Sequence, residues 1–370
     1  MNAYLSKKIK YLSFFDIIGV VYCHAYNYYN RFLLPTTVIA EGTTPGAMLQ
    51  FFISNGLVRF GVPMFFVFSG FLLFYNWEFS WKGYLKKIWK RVRTLVLPYL
   101  LWTTMAGGLM YGVYRVVGLE RYSTIGEKVG IFLEQGVIGW LLNSPAFQLW
   151  YIVDLFKLVI VSPIIYWLVK KCKLFPVLLF GILWFLHISF LIDSEGLFFF
   201  TLGSYLAVNK VKIQGMEALQ DTYTDKDRYK RCAYFLTIIW IGGCFGYSLL
   251  SATMKDVWYT PYVLLMLYKI NVITGLLSVW KQYDLKQGDW QDKGWIKAVV
   301  SCTVFVYMAH EPLLHLLTDV LLEKNVFNGA HTLVYFALPM VIVAGCIGTG
   351  LLVKKICPKV YGMLVGGRGV

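Results

Sequence analysis

Charge is scarce in this chain. Only 15% of the residues are Asp, Glu, Lys or Arg, and 58% are apolar. A soluble domain carries about a quarter charged residues and is about half apolar. A soluble reading of 370 residues would call for two or three domains, but the spacing of the apolar runs points to one integral membrane domain spanning 1–370, with its core at 10–353. No stretch repeats another convincingly, which counts against transporter folds built from inverted halves. Low-complexity sequence is missing apart from the short "GGRGV" at 366–370, which reads as frayed. The seven cysteines fall in apolar runs or on the basic side of the chain and form no C-x-x-C or His/Cys cluster, so neither disulfides nor a metal is expected. No A-x-A-like cleavage site follows the first apolar run, and Asp16 and His24 interrupt it. It reads as a span and not as a signal peptide.

What is present is a series of ten apolar runs near 11–29, 57–76, 95–115, 148–169, 174–192, 195–208, 233–251, 260–280, 298–319 and 332–353. Crossing a bilayer takes about 20 such residues, and the sixth run is short. The runs are continuously apolar, without the alternation of a membrane β-barrel. The expected fold is therefore all-α, a polytopic bundle of about ten transmembrane helices. With the N-terminus cytoplasmic, the inner segments hold 26 of the 35 Lys and Arg residues. The outer ones hold only Arg31, Arg115, Arg121, Lys128, Lys255 and Lys324. That asymmetry places both termini inside. The net charge of +15 then faces an anionic inner leaflet, and nucleic acid is not needed to explain it. The segment "WKGYLKKIWKRVR" sets Trp81, Leu85, Ile88, Trp89 and Val92 at helical spacing among basic residues, as an interfacial amphipathic helix does. The outer segment 126–150 looks similarly amphipathic but less basic, and 214–231 reads as polar linker.

Polar groups inside apolar runs need a partner or a wet cavity. In "YLSFFDIIGVVYCHAYNYYNRF" His24 sits about thirteen residues into the span, roughly 20 Å along a helix rising about 1.5 Å per residue. It is either a packing residue bonded to a neighbouring helix or part of a reaction site. The following Tyr26, Asn27, Tyr28, Tyr29 and Asn30 suit an outward cavity that binds hydroxyl-rich ligands. In "LVRFGVPMFFVFSGFLLF" Arg59 lies one turn before Pro63, and Ser69-Gly70 opens a close-packing notch. Helix packing with a snorkelling Arg59 explains that stretch on physics alone. In "FQLWYIVDLFKLVIVSPIIYW", beside Trp150, Asp154 and Lys157 share a helical face at i,i+3 and can pair. In "SCTVFVYMAHEPLLH" His310 and Glu311 sit side by side within the ninth run, which packing alone does not explain. Lys269 and His187 read as structural.

The motifs "VVYCHAY", "RFGVPMFFVFSGFLLF", "KKIWKRVRTLVLPYLLW", "LWYIVDLF", "GLFFFTLGSYLA" and "TVFVYMAHEPLL", in this order, resemble the successive signatures of the acyltransferase family 3 integral membrane proteins. The resemblance covers roughly residues 10–320. It implies about ten helices and the transfer of an acyl group, commonly acetyl, from cytoplasmic acyl-CoA to sugars or other envelope acceptors. Carried over, the family's first-helix histidine falls on His24, its Ser-Gly-Phe on Ser69, Gly70 and Phe71, and its basic stretch on Arg91 and Arg93. Two positions depart from it. Ser13 stands where many relatives carry Arg or Lys, and Val153 stands where some carry Arg.

On this reading His24 is a general base that deprotonates an acceptor hydroxyl, a role worth about 10²–10⁴ in rate. Lys86, Lys87, Lys90, Arg91 and Arg93 hold the phosphates of the acyl-CoA, whose pantetheine arm reaches toward His24. His310 or Glu311 fixes the imidazole tautomer. Arg59, Ser69, Tyr26, Asn27, Trp150, Asp154 and Lys157 are the candidates on the acceptor side, with Arg59 the substitute for the charge absent at Ser13. The acceptor is a carbohydrate or glycolipid hydroxyl and the setting a bacterial cytoplasmic membrane, with no oligomeric state indicated. The alternatives are a transporter or flippase for a lipid-linked or sugar substrate, which also buries ionisable residues in an apolar bundle, and a catalytically dead scaffold.

Overall fold

The computed structural model describes residues 1–28, 33–39, 44–118, 123–211, 223–254, 257–323 and 330–368. Tyr29, Asn30, Arg31, Arg121, Lys255, Lys324 and residues 214–222 of the linker lie outside them. Among the described residues all regular structure is helical. In chain order the helices are α1 (Ala3–His24), α2 (Pro45–Phe51), α3 (Gly61–Phe74), α4 (Trp81–Arg91), α5 (Leu97–Val117), α6 (Ser123–Leu142), α7 (Trp150–Lys171) and α8 (Phe175–Phe185). They continue as α9 (Ser194–Val208), α10 (Tyr223–Thr253), α11 (Thr260–Lys286), α12 (Gly294–Ser301), α13 (Thr303–Ala309), α14 (Leu313–Glu323), α15 (His331–Ile356) and α16 (Pro358–Leu364).

Each of the ten apolar runs contains helix among the described residues. Among the described residues five stretches are long and apolar enough to cross a membrane: Pro45–Phe74, Val129–Lys171, Asp225–Thr253, Thr260–Lys286 and His331–Ile356. A sixth is the pair Gly294–Ala309 and Leu313–Leu322 if that bent pair is one span. The run 174–192 yields only the eleven residues of α8. The helix stops at Phe185, His187 turns the chain at φ +59°, and the Asp193 side chain accepts from Glu195 N to start α9. Residues 223–231, expected as linker, are instead the first turns of α10.

The chain forms two compact units, 1–79 with 161–297, and 80–160 with 298–370. In the first unit α3 lies along α9 at very short range. A Cβ built on Gly70 would stand 2.1 Å from the Phe200 carbonyl oxygen, and one on Gly203 would stand 2.0 Å from that of Val67. Small residues at matching positions are what let two membrane helices approach this closely. At the other end of α1, Lys8 donates to Asp284 of α11 at 2.6 Å with both side chains fully buried. Tyr4 and Tyr229 also donate to Asp284, and the Lys8 ammonium lies 3.7 Å from the Trp280 ring centroid. This ion pair has its remaining valences filled, the condition under which burial of two charges is tolerated.

In the second unit α5 packs on α6, and α15 receives α13, α14 and α16. Trp102 stacks edge-on against Phe305, and Phe305 lies nearly parallel to Tyr361, with centroids 5.5 and 5.8 Å apart. Two π-helical turns interrupt the ladder, Phe52–Leu57 in the first unit and Val92–Val96 in the second. Each precedes a proline. Pro98 offers no N–H to the carbonyl of Thr94 four residues earlier and would clash with it in an α-helix. The wider turn around Thr94 relieves that conflict, whereas Pro63 sits in the first turn of α3, where its missing N–H costs nothing. π-turns of this kind recur at functional positions.

Candidate active-site residues

In the first unit His24 is the last residue of α1 and is half-buried. The chain beyond it is held from below by α2 and the π-turn. Ser54 donates to the Tyr22 carbonyl at 2.7 Å, and Gln50 and Asn27 exchange two hydrogen bonds of 3.1 and 3.2 Å. Tyr26 and Asn27 are therefore buried, and Asn27 has a structural partner in Gln50. Lower on α1, Ser13 is half-buried. Asp16 is buried beside Gly61, with no hydrogen-bond partner for either carboxylate oxygen among the described residues.

Arg59 follows the first π-turn and points inward. Its Nε donates to Asn55 Oδ1 at 2.9 Å and its guanidinium donates to the Leu33 carbonyl. The cation lies 6.0 Å from the Tyr268 ring centroid. It is within electrostatic reach of the Cys23 thiol, one residue before His24, and of Glu195. Glu195 in turn accepts from Tyr268 Oη and Trp184 Nε1, each at 3.3 Å. This Arg59–Tyr268–Glu195 chain gives the half-buried cation an acid that sequence reasoning did not single out, although Glu195 directly precedes the quoted motif "GLFFFTLGSYLA". Lys269 donates to the Phe185 carbonyl at 2.8 Å and to that of Trp184, so it caps α8 where the last carbonyls lack helical partners. Ser69 is half-buried on α3 beside the Gly70 contact.

In the second unit the basic helix forms as expected, opened by a Ser80 cap on Gly83 N. Lys86, Lys90 and Arg93 are exposed, and Lys87 and Arg91 are half-buried. Lys86, Lys90, Arg91 and Arg93 form no ion pair among the described residues. Burial pushes the Lys87 ammonium down to about 8, helped by Arg91 and Lys90. Burial also pushes Arg91 down to about 10, with Arg368 the next cause. Of the end read as frayed, residues 366–368 are docked, and Gly369 and Val370 lie outside the described residues. Val365 is fully buried, Trp102 Nε1 donates to the Leu364 carbonyl at 3.0 Å, and Arg368 comes within electrostatic reach of Arg91. The Gly-Gly-Arg spelling hid this, because only tertiary docking orders such a segment.

Asp154 and Lys157 pair at 2.7 Å, the lysine end half exposed, and Trp150 and Val153 lie on the exposed face of α7. His310 and Glu311, expected inside a continuous ninth span, stand at a break in it. The helices on either side are bent by 69° around Pro312, whose ring cannot continue the ladder. Both residues are buried. His310 Nδ1 meets the Val306 carbonyl at 3.0 Å, and the Glu311 carboxylate meets His315 Nδ1 at 2.6 Å.

A family model for an acyltransferase domain, that of acyltransferase family 3, matches residues 8–350. The chain belongs to that family and is a multi-pass membrane acyltransferase. It is 24% identical over 388 aligned residues to the succinoglycan biosynthesis protein ExoH of Rhizobium meliloti (strain 1021), covering 100% of this chain and 94% of the relative. No solved structure matches.

Proposed function

We propose that the protein is an O-acyltransferase of the bacterial cytoplasmic membrane, with about ten spans and both termini cytoplasmic. It moves an acyl group, acetyl by preference, from acyl-CoA to a hydroxyl of an envelope or extracellular polysaccharide or glycolipid. Family membership supports the reaction class. The relative named for succinoglycan biosynthesis supports a polysaccharide acceptor. The excess of Lys and Arg on one side supports the orientation.

The observation that carries the donor assignment is the half-buried Arg91 among Lys86, Lys90 and Arg93, none with an acidic partner among the described residues. Guanidinium and ammonium groups left without internal anions suit an anion from outside, and phosphate oxygens match the guanidinium fork. In the reaction, His24 takes the proton of the acceptor hydroxyl as that oxygen attacks the thioester carbonyl. The new C–O ester bond forms, the C–S bond breaks, and the imidazolium returns its proton to the departing coenzyme A thiolate. Arg59 supplies positive charge for the developing oxyanion in place of the basic residue absent at Ser13.

The test is thiol release from acetyl-CoA by the purified protein in nanodiscs, with and without an acidic exopolysaccharide lacking acyl groups. Acceptor-dependent release and an acetylated polysaccharide are expected. Acetylation that proceeds only with a donor other than a coenzyme A thioester would overturn the donor, and movement of a lipid-linked sugar without acylation would overturn the reaction.

A further inference from the structure

We propose that Arg91 and Arg368 form a two-guanidinium clamp for a phosphate group, and that residues 358–368 fold back to supply its second half. In the proposed reaction the phosphate belongs to coenzyme A, so the identity of the ligand rests on that reading, while the clamp itself rests on the placement of the residues.

The fold-back is built, not incidental. α16 begins at Pro358, and Tyr361 is fully buried against Phe305, with its hydroxyl donating to the Ser301 carbonyl at 3.3 Å. Two glycines then reverse the chain with φ of +62° and +72°, a region open to glycine at little cost. Gly367 N donates to the Gly362 carbonyl at 2.7 Å and Arg368 N to that of Val365 at 3.3 Å. The first of these glycines must be glycine for a second reason. A Cβ on Gly366 would stand 2.3 Å from the Thr94 carbonyl oxygen, so the reversal is pressed onto the π-turn that begins right after Arg91.

With Gly366 pressed on Thr94, Arg368 two residues later comes within electrostatic reach of Arg91, and the Tyr151 and Tyr307 rings, 6.1 Å apart, lie within reach of Arg368. Neither arginine side chain has a hydrogen bond or ion pair among the described residues, and the buried Thr94 hydroxyl beside them has no partner there either. Two like charges brought within reach of one another on half-buried side chains repel and lose part of their hydration. Burial lowers both guanidinium pKa values, and for Arg91 the neighbouring Arg368 adds to the effect. A chain that spends a glycine reversal and a buried valine on that arrangement gains nothing from it in isolation. A bound phosphate removes the repulsion and fills both forks with charge-assisted bonds.

The experiment measures binding of coenzyme A and of inorganic pyrophosphate to the full-length protein in nanodiscs of neutral lipid, by calorimetry and by ligand-induced shift of the melting temperature. Arg368→Gln should weaken both ligands about ten- to a hundredfold, the scale of a charged hydrogen-bonded contact. Arg368→Lys should recover only part of the loss. Without ligand, Arg368→Gln should melt no lower than the wild type, because it relieves a repulsion, and a purely structural arginine would give the opposite. Lys82→Gln, on the exposed start of α4, should change nothing. Wild-type binding of coenzyme A that Arg368→Gln leaves unchanged overturns the clamp and spares the donor reading. Binding of pyrophosphate but not coenzyme A, lost in Arg368→Gln, supports the clamp and overturns the donor reading. Repeating the measurement with phosphatidic acid in the nanodiscs separates the sources, since a lipid-headgroup clamp would show coenzyme A displaced in the wild type. Binding of none of these ligands by the wild type overturns the clamp.

Discussion

Replacing Arg59 with glutamine tests the buried chain of the first unit. The substitution removes a cation that donates to Asn55 Oδ1 and to the Leu33 carbonyl and lies over Tyr268. Hydrogen bonds from a charged group contribute about 1.5–3 kcal/mol each, and the ring contact about 0.5–1 kcal/mol. A glutamine amide can keep about one of the two bonds, so the net loss is about 2–3 kcal/mol. At about 2–4 °C per kcal/mol for chains of some 200 residues, and less for longer ones, the melting temperature should fall by roughly 5 °C. Glu195 then keeps its bonds from Tyr268 and Trp184 but loses the nearby positive charge. Adding Glu195→Gln should therefore restore about 1 kcal/mol, the coupling expected of residues in one network. Turnover should drop at least tenfold, and the second substitution should restore part of the melting temperature without restoring turnover. The assay is acyl transfer below the melting transition beside thermal unfolding in the same detergent. An Arg59→Gln protein that melts within 1 °C of wild type and turns over normally would refute both the network and the catalytic role.

Three further outcomes follow from other contacts. Lys157→Gln should cost less activity than Arg59→Gln in the same assay, because Asp154 already neutralises that lysine at 2.7 Å. Gly203→Ala should destabilise by about 1–3 kcal/mol, the scale of overpacking, since its Cβ would stand 2.0 Å from the Val67 carbonyl oxygen; unchanged melting would contradict the close α3–α9 contact. Affinity for acyl-CoA should fall about two- to fivefold between pH 7 and 9, the worth of a partly screened ion pair. The sign follows from Lys87, which burial holds down at about 8, so that it is charged below that pH and neutral above it. Lys87→Gln should flatten the profile, and an unchanged slope in that variant would exclude Lys87 from donor binding.

The parts of the fold governed by local sequence were legible. Apolar runs marked the helices, the i,i+3 spacing gave the Asp154–Lys157 pair, and the alternation of Trp81, Leu85 and Trp89 with lysines gave the amphipathic α4. The prices of polar groups in apolar runs directed attention to His24, Arg59, His310 and Glu311. What stayed hidden depends on residues far apart in the chain. Lys8 and Asp284 are 276 positions apart, and no pattern around either announces the other. Glu195 becomes a partner of Arg59 only through Tyr268 on a third helix. The run at 174–192 is apolar throughout its first half, so hydropathy carried the expected span past Phe185, where Lys269 and the turn at His187 end the helix. Arg368 was concealed by glycines that signal disorder when free and a tight reversal when docked.

The central claim is that His24 is the base for acyl transfer from a coenzyme A thioester. It is tested most directly by acceptor-dependent turnover of His24→Ala beside its affinity for acyl-CoA. Turnover should fall by about 10²–10⁴, the usual worth of a positioned general base, with donor affinity and melting close to wild type, because the donor's phosphates are assigned to α4 and Arg368. A variant that retains more than a tenth of wild-type turnover would contradict the account.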